Sequence, residues 1–297
     1  MKKLLKILAL IAGGLALAIG GYAGYLYKQI TDTASKVHEP IERENTRDVD
    51  LDKQQPLSFL LLGVDEREGD RGRSDTIVVI TVNPNTNSMI MFNIPRDTRT
   101  EIVGRGTEDK INHAYAFGKV PMALETVEHF LGIPIDYYVK VNMEAFKEIV
   151  DALGGVTVTN SFAFNSGGHH FAEGPITLDG EAALAYSRMR YKDPKGDLGR
   201  NERQQQIIRA IIKKGASFQS ITKLDDILNS LEDNVKTNLT FEEMKKIQKH
   251  YRGAIGNVKT FEIKGSGTRM NNIYYYMVSD DERAAISQRL KEHLEID

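Results

Sequence analysis

The sequence predicts an α/β domain with a mixed central β-sheet flanked by helices, carried on one N-terminal transmembrane helix. Three observations predict it. β-rich runs of strand length stand at Leu57–Val64, Thr76–Val82 and Ser88–Ile94; helical and strand-like segments then alternate to the end of the chain; and an uncharged run, Ile7 to Tyr27, follows a cluster of lysines. Strands and helices intermixed along one chain bury their apolar faces by stacking helices on a sheet. The 297 residues, 41% apolar and 27% charged, suffice for such a core and argue against disorder.

The N-terminus predicts the compartment. Lys2, Lys3 and Lys6 precede the apolar run. As a helix that run is ~32 Å long, the thickness of a bilayer core. Clustered lysines put residues 1–6 inside and the rest outside, with residues 7–27 spanning the cell membrane. Tyr22, Tyr25 and Tyr27 fall where amphipathic rings favour the outer interface. Ala16-Leu17-Ala18 resembles a cleavage site, but the apolar run continues well past it, so an anchor is expected rather than a cleaved signal. Both readings export the domain. A net charge of −2 excludes a general nucleic-acid binder, and the absence of cysteine excludes disulfides and thiolate metal sites.

Residues 28–55 are polar, carry Pro40, and read as a partly helical stalk. The domain then runs over 56–297, with a core at 57–214 and a C-terminal extension at 215–297. Asn83-Pro-Asn-Thr-Asn87 is turn chemistry, so the second and third strands form a hairpin. Pro121–Leu131 reads as a helix closed by Gly132. Asp136–Val141 reads as a strand. Asn142 caps a helix over Met143–Leu153, and Val156–Thr159 is the next strand. Glu181–Ser187 and Arg200–Lys214 are helical, the latter with apolar Ile207, Ile208, Ile211 and Ile212. The extension offers helices at Thr222–Leu231, Thr240–Tyr251 and Asp281–Leu294, and strands at Val258–Ile263 and Ile273–Met277.

Chain direction gathers the candidate site. Asp65 ends the first strand, Asp75 begins the second and Arg96 follows the third, so antiparallel neighbours bring all three to one end of the sheet. Two carboxylates there suit a hard cation such as Mg²⁺, which takes one or two protein carboxylates plus phosphate oxygens and water. They equally suit strand-end residues that bond nearby amides. Arginines cluster in Tyr186-Ser-Arg-Met-Arg-Tyr191, where Arg188 and Arg190 terminate one helix. Arg200 and Gln204 share a face of the next, with Arg203 nearby. Planar guanidinium forks match phosphate oxygens, but a solvated ion-pair network uses the same residues. Lys110, Asn112 and His113 are weaker candidates. His169 and His170 are adjacent in a loop, where side chains diverge more often than they converge on a metal. No H-E-x-x-H, phosphate-loop or G-x-S-x-G motif is present.

Seven ordered segments decide between these alternatives: LLLGVDER, RSDTIVV, FNIPRDT, DKINHAYAFG, VDALGGV, LDGEAALAYSRMRY and DLGRNERQQQII. Together they resemble the LytR-CpsA-Psr family, and the likeness runs from anchor to C-terminal segment. The resemblance implies a phosphotransferase of the cell envelope. Its members take an anionic glycopolymer, such as wall teichoic acid, from an undecaprenyl-pyrophosphate-linked carrier and attach it to peptidoglycan through a phosphodiester. It implies Mg²⁺, or Mn²⁺ in its place, on Asp65 and Asp75. It puts substrate-binding roles on Arg96, Lys110, Arg188, Arg190, Asp197, Arg200 and Gln204, and catalytic roles on Asp75, Arg96, Arg190 and Arg200. It also implies a greasy tunnel for the prenyl chain, which the sequence alone does not show. A prenyl-pyrophosphate-binding regulator, or a hydrolase of the same lipid, would use the same residues.

Overall fold

The computed structural model describes residues 25, 27–43, 47–66, 72–217 and 234–297. Its centre is a six-stranded mixed sheet. The strands are β1 (Leu57–Val64), β2 (Ser74–Asn83), β3 (Ser88–Asn93), β6 (Tyr137–Asn142), β11 (Val235–Thr237) and β12 (Val258–Thr260), in the order β11-β6-β1-β2-β3-β12. The expected three-strand unit is present: β1 pairs antiparallel with β2, and β2 with β3. β6 lies parallel to β1 on its other side.

Helices cover both faces, which is why β1 is a near-continuous apolar run rather than an alternating one. On one face Leu60, Leu62, Val64, Val79 and Phe92 meet α2 (His113–Leu131) and α7 (Asp280–Leu294). On the other, Leu57, Val78, Ile80 and Met91 meet α5 (Asp197–Ser217) and α6 (Phe241–Tyr251). A side cluster joins α3 (Met143–Ala152) and α4 (Gly180–Arg188) to the β7–β10 pair (Val156–Asn160, Gly174–Leu178) and the small hairpin β8–β9 (Phe164–Ser166, His169–Phe171). Asn142 caps α3 as expected, accepting from the Ala145 amide, and Thr240 begins α6 with a reciprocal capping box to Glu243.

Several expectations change. α2 begins at His113, eight residues before Pro121; its backbone breaks at Gly118 and Lys119, and the proline resumes the helix just after that kink. α4 ends at Arg188, because Met189 turns extended, so Arg190 lies in the following loop and does not terminate the helix. The run Val258–Ile263 is a strand only to Thr260. Hairpins β4–β5 (Arg99–Ile102, Thr107–Lys110) and β13–β14 (Ser266–Met270, Ile273–Met277) frame the third-strand side. The expected span over 7–27, apart from Tyr25 and Tyr27, and the helix at Thr222–Leu231 lie outside the described residues. Among the described residues no helix is long and apolar enough to cross a membrane.

The segment expected as a stalk is helical over residues 27–37 and then lies against the domain. Val37 packs on Ala145 and Val235, and His38 bridges to Thr237. Arg43 pairs with Glu128 at 2.9 Å. Arg47 reaches Asp136 from two nitrogens, at 3.0 and 2.7 Å. Asp136 also accepts from the Ser58 amide at 2.7 Å and hydroxyl at 2.9 Å, so one buried carboxylate ties this segment to the start of β1. Asp136→Ala leaves an arginine and an amide without their acceptor. It is expected to lose about 3–5 kcal/mol of stability, read from urea unfolding.

Candidate functional site

β1 ends, β2 begins and β6 ends at the same edge of the sheet, because β1 runs antiparallel to one and parallel to the other. A bulge at Gly63/Val64 follows, and the Asp65 and Asp75 amides both donate to the Arg73 carbonyl, at 3.3 and 3.1 Å. That shared acceptor holds the two carboxylate-bearing residues side by side. Gly63 faces Thr76 so closely that a Cβ there would sit 2.9 Å from the threonine Cβ, which explains a glycine inside this strand.

A cavity of about 570 Å³ opens at this edge. Its mouth is polar: Asp65, Asp75, Arg96, Arg188, Arg200 and Gln204 line it. The rest of its wall is largely apolar, lined by the partly buried Leu61, Val139, Val141, Phe146, Ile149, Ile208, Ile211 and Ile212. The isoleucine stripe of α5 thus splits: Ile207 is fully buried in the side cluster, while its three neighbours face the cavity.

Each guanidinium at the mouth leans on a carboxylate. Arg96 Nη1 donates to Asp75 Oδ1 at 3.0 Å, and its Nε lies 3.8 Å from Asp97. Arg188 lies 3.9 Å from Asp65. Asp197 holds two arginines, Arg200 at 2.9 Å and Arg190 at 3.3 Å. Arg200 is only 8% exposed, and its Nε has no hydrogen-bond partner. Burial, reinforced by the charges of Arg96 and Arg190 against the opposing pull of Asp197, lowers its pKa from the ordinary arginine value. For Arg96 burial works the same way, but the adjacent Asp75 outweighs it and raises the pKa. Both remain cations at any physiological pH.

The expected site residues divide by this geometry. Asp65, Asp75, Arg96, Arg188, Arg200 and Gln204 meet at the mouth. Arg190 and Asp197 stand behind Arg200 as its charged neighbours. Lys110 is not on the cavity wall; its Nζ donates to Asp97 at 2.6 Å and so reaches the site through Arg96. Gln204 is oriented by two partners, donating to Thr76 Oγ1 and accepting from Asn93 Nδ2, both at 3.0 Å. Arg203, whose spacing suggested the same surface, is buried. It pairs with Asp193 and donates to the Tyr186 and Met189 carbonyls, holding the α4–α5 loop. His170 bonds Asn165, and among the described residues no group of three or more His, Cys, Asp or Glu could hold a metal alone. Asp65 and Asp75 are the two carboxylates on the cavity wall, a donor set that fits a hard cation sharing phosphate oxygens and water.

Sequence reasoning missed the cavity wall contributed by β6 and α3: Val139, Val141, Phe146 and Ile149. Their pattern reads as ordinary core, and only the parallel placement of β6 beside β1 turns them toward a void. Asn112 was singled out only weakly, yet its Nδ2 lies 3.5 Å from Asp75 Oδ1.

The chain matches the LytR_cpsA_psr family over residues 24–292. It is 52% identical over 296 residues to the polyisoprenyl-teichoic acid–peptidoglycan teichoic acid transferase TagU of Bacillus subtilis (strain 168), covering 99% of this chain and 97% of that one. The crystal structure of B. subtilis TagU superposes with a TM-score of 0.67 over 82% of this chain and 98% of that one, at 51% identity. The TagU of Halalkalibacterium halodurans is 53% identical over a 303-residue alignment that covers 100% of this chain and 100% of that one. A structure of TagT bound to LIIa-WTA superposes with a TM-score of 0.75 at 31% identity, covering 87% of this chain and 100% of that one. These matches extend over nearly the whole chain, and the chain belongs to the LytR-CpsA-Psr family.

Proposed function

We propose that this protein is a phosphotransferase that moves an anionic cell-wall glycopolymer, wall teichoic acid by the names of its relatives, from an undecaprenyl-pyrophosphate-linked carrier to peptidoglycan. One observation carries the reading: a single cavity joins a largely apolar wall to a mouth of three arginines and two carboxylates. A prenyl chain suits that wall, where it leaves water. A pyrophosphate suits the mouth, where guanidinium forks donate to its oxygens.

In this reading the acceptor hydroxyl attacks the phosphorus that bears the polymer. The new P–O bond joins polymer phosphate to peptidoglycan, the bridging P–O bond to the lipid phosphate breaks, and lipid monophosphate leaves. The hydroxyl proton passes to a general base and from there to water. Arg96, Arg188 and Arg200 fix the pyrophosphate and spread the charge that builds on its leaving oxygen. Arg190 and Asp197 keep Arg200 aimed at the mouth. Asp65 and Asp75 would hold Mg²⁺, or Mn²⁺, which supplies a positive charge to non-bridging oxygens. The domain works outside the cell membrane, anchored by the apolar run at residues 7–27 with the lysines inside.

Incubation of the full chain with a lipid-pyrophosphate-linked oligosaccharide, Mg²⁺ and peptidoglycan fragments should yield a phosphodiester-linked product by mass analysis. Release of the oligosaccharide phosphate to water alone would favour a hydrolase. Asp65→Ala and Asp75→Ala should each abolish turnover and still unfold cooperatively, and excess chelator should silence the wild type. Full activity in chelator removes the metal from the account. Arg190→Lys should lose about tenfold or more in transfer with little change in melting temperature, since a point charge cannot replace the fork. Arg200→Lys should lose as much and, because that side chain is buried, melt lower as well. Arg209→Lys, whose Nε lies 3.4 Å from the Gln205 carbonyl of its own helix, should be near neutral on both measures. Protease added to intact, wall-stripped cells should digest the domain; full protection overturns the proposed orientation.

A further inference from the structure

Tyr191 is 94% exposed, the most exposed large hydrophobic side chain among the described residues, and it stands one residue beyond Arg190. The loop that carries it is built rigidly. Buried Arg203 binds the Met189 carbonyl and pairs with Asp193. Asp193 closes the turn by donating its amide to the Arg190 carbonyl at 3.2 Å, and its Oδ1 accepts from the Lys195 amide at 2.7 Å. Burying a charged pair to brace a loop carries a desolvation cost, and an aromatic ring left in water at the tip gains nothing for folding. The ring has a place in the site's geometry. Its face lies 5.7 Å from the Arg190 guanidinium, Arg190 shares Asp197 with Arg200, and Arg200 lines the cavity mouth.

We infer that Tyr191 is a stacking platform for a pyranose ring next to the reacting phosphate, a role that rests on the transfer reading above. The electron-rich face of the ring attracts the polarised C–H bonds on the flat side of a sugar. A rigid platform loses little entropy on binding. Lys192 and Arg190 flank it with cations for the carboxylate or phosphate groups of an anionic glycan. The neighbours Arg190, Lys192, Asp193 and Lys195 form no apolar patch of the kind that membrane insertion needs. The sugar belongs either to the acceptor glycan or to the donor polymer, and the two sources are separable.

The chain contains no tryptophan, so Tyr191→Trp installs a sole indole reporter at the platform. In the full chain in detergent micelles, its emission should shift to the blue and saturate with muramic-acid oligosaccharides if the acceptor stacks there. It should do so with the lipid-free oligosaccharide phosphate if the donor does. Tyr191→Ala should raise KM for that same sugar by about three- to tenfold with kcat and melting temperature unmoved, and Tyr191→Phe should restore it. No shift with either sugar, a shift only with phosphatidylglycerol vesicles, or an unchanged KM in Tyr191→Ala overturns the platform. A wild type that forms no phosphodiester product overturns the transfer reading instead, and the emission titration still judges the platform.

Discussion

Strand β1 pairs antiparallel with β2 on one side, in one register from Leu57 to the bulge at Gly63/Val64, and parallel with β6 on the other from Phe59 to Val64. A slip by one residue would turn Leu60, Leu62 and Val64 out of the core beneath α2 and α7 and drive Leu61 and Gly63 into it. The core therefore fixes the register, and the register fixes where the chain leaves the sheet. Asp65, Asp75, Arg96 and Asn142 all lie just beyond or at strand ends on that edge. Their meeting is a consequence of hydrophobic burial some distance away.

The electrostatics of the mouth follow from the same placement. Four guanidinium groups, of Arg96, Arg188, Arg190 and Arg200, face three carboxylates, of Asp65, Asp75 and Asp197. Packing that many like charges together without partners would be strongly unfavourable where water is partly excluded. The carboxylates hold the arginines in place before any ligand arrives. Such preorganisation lowers the reorganisation needed when an anion binds. In the proposed reading, the ion-pair network and the anion site are the same residues in two uses. The orphaned Nε of buried Arg200 marks where the network by itself falls short of satisfying its donors.

The extra layer of α3, α4 and the β7–β10 pair supplies one wall of the cavity through α3 and α4. α5 packs against the sheet with one side and against this layer with the other. Where its Ile208, Ile211 and Ile212 meet Val139, Val141 and Phe146, the two packings leave room rather than close. Walls of such side chains favour an apolar occupant over a sugar. The polar and apolar ends of the cavity thereby sort the parts of an amphiphile.

The three-strand unit, the Asn142 cap and the clustering of Asp65, Asp75 and Arg96 were legible in the sequence, because strand period, cap chemistry and chain direction are local properties. So was the family, since seven ordered segments are read without coordinates. What the tertiary structure alone decided is which neighbours face one another across long separations. Arg200 and Arg203 are three residues apart on one helix, yet one opens on the cavity and the other is sealed behind Asp193. Val139 and Ile211 both look like core, yet both line a void. Burial and cavity walls are set by what packs from elsewhere in the chain, here β6 beside β1 and α5 beneath α4, and no local pattern carries that information.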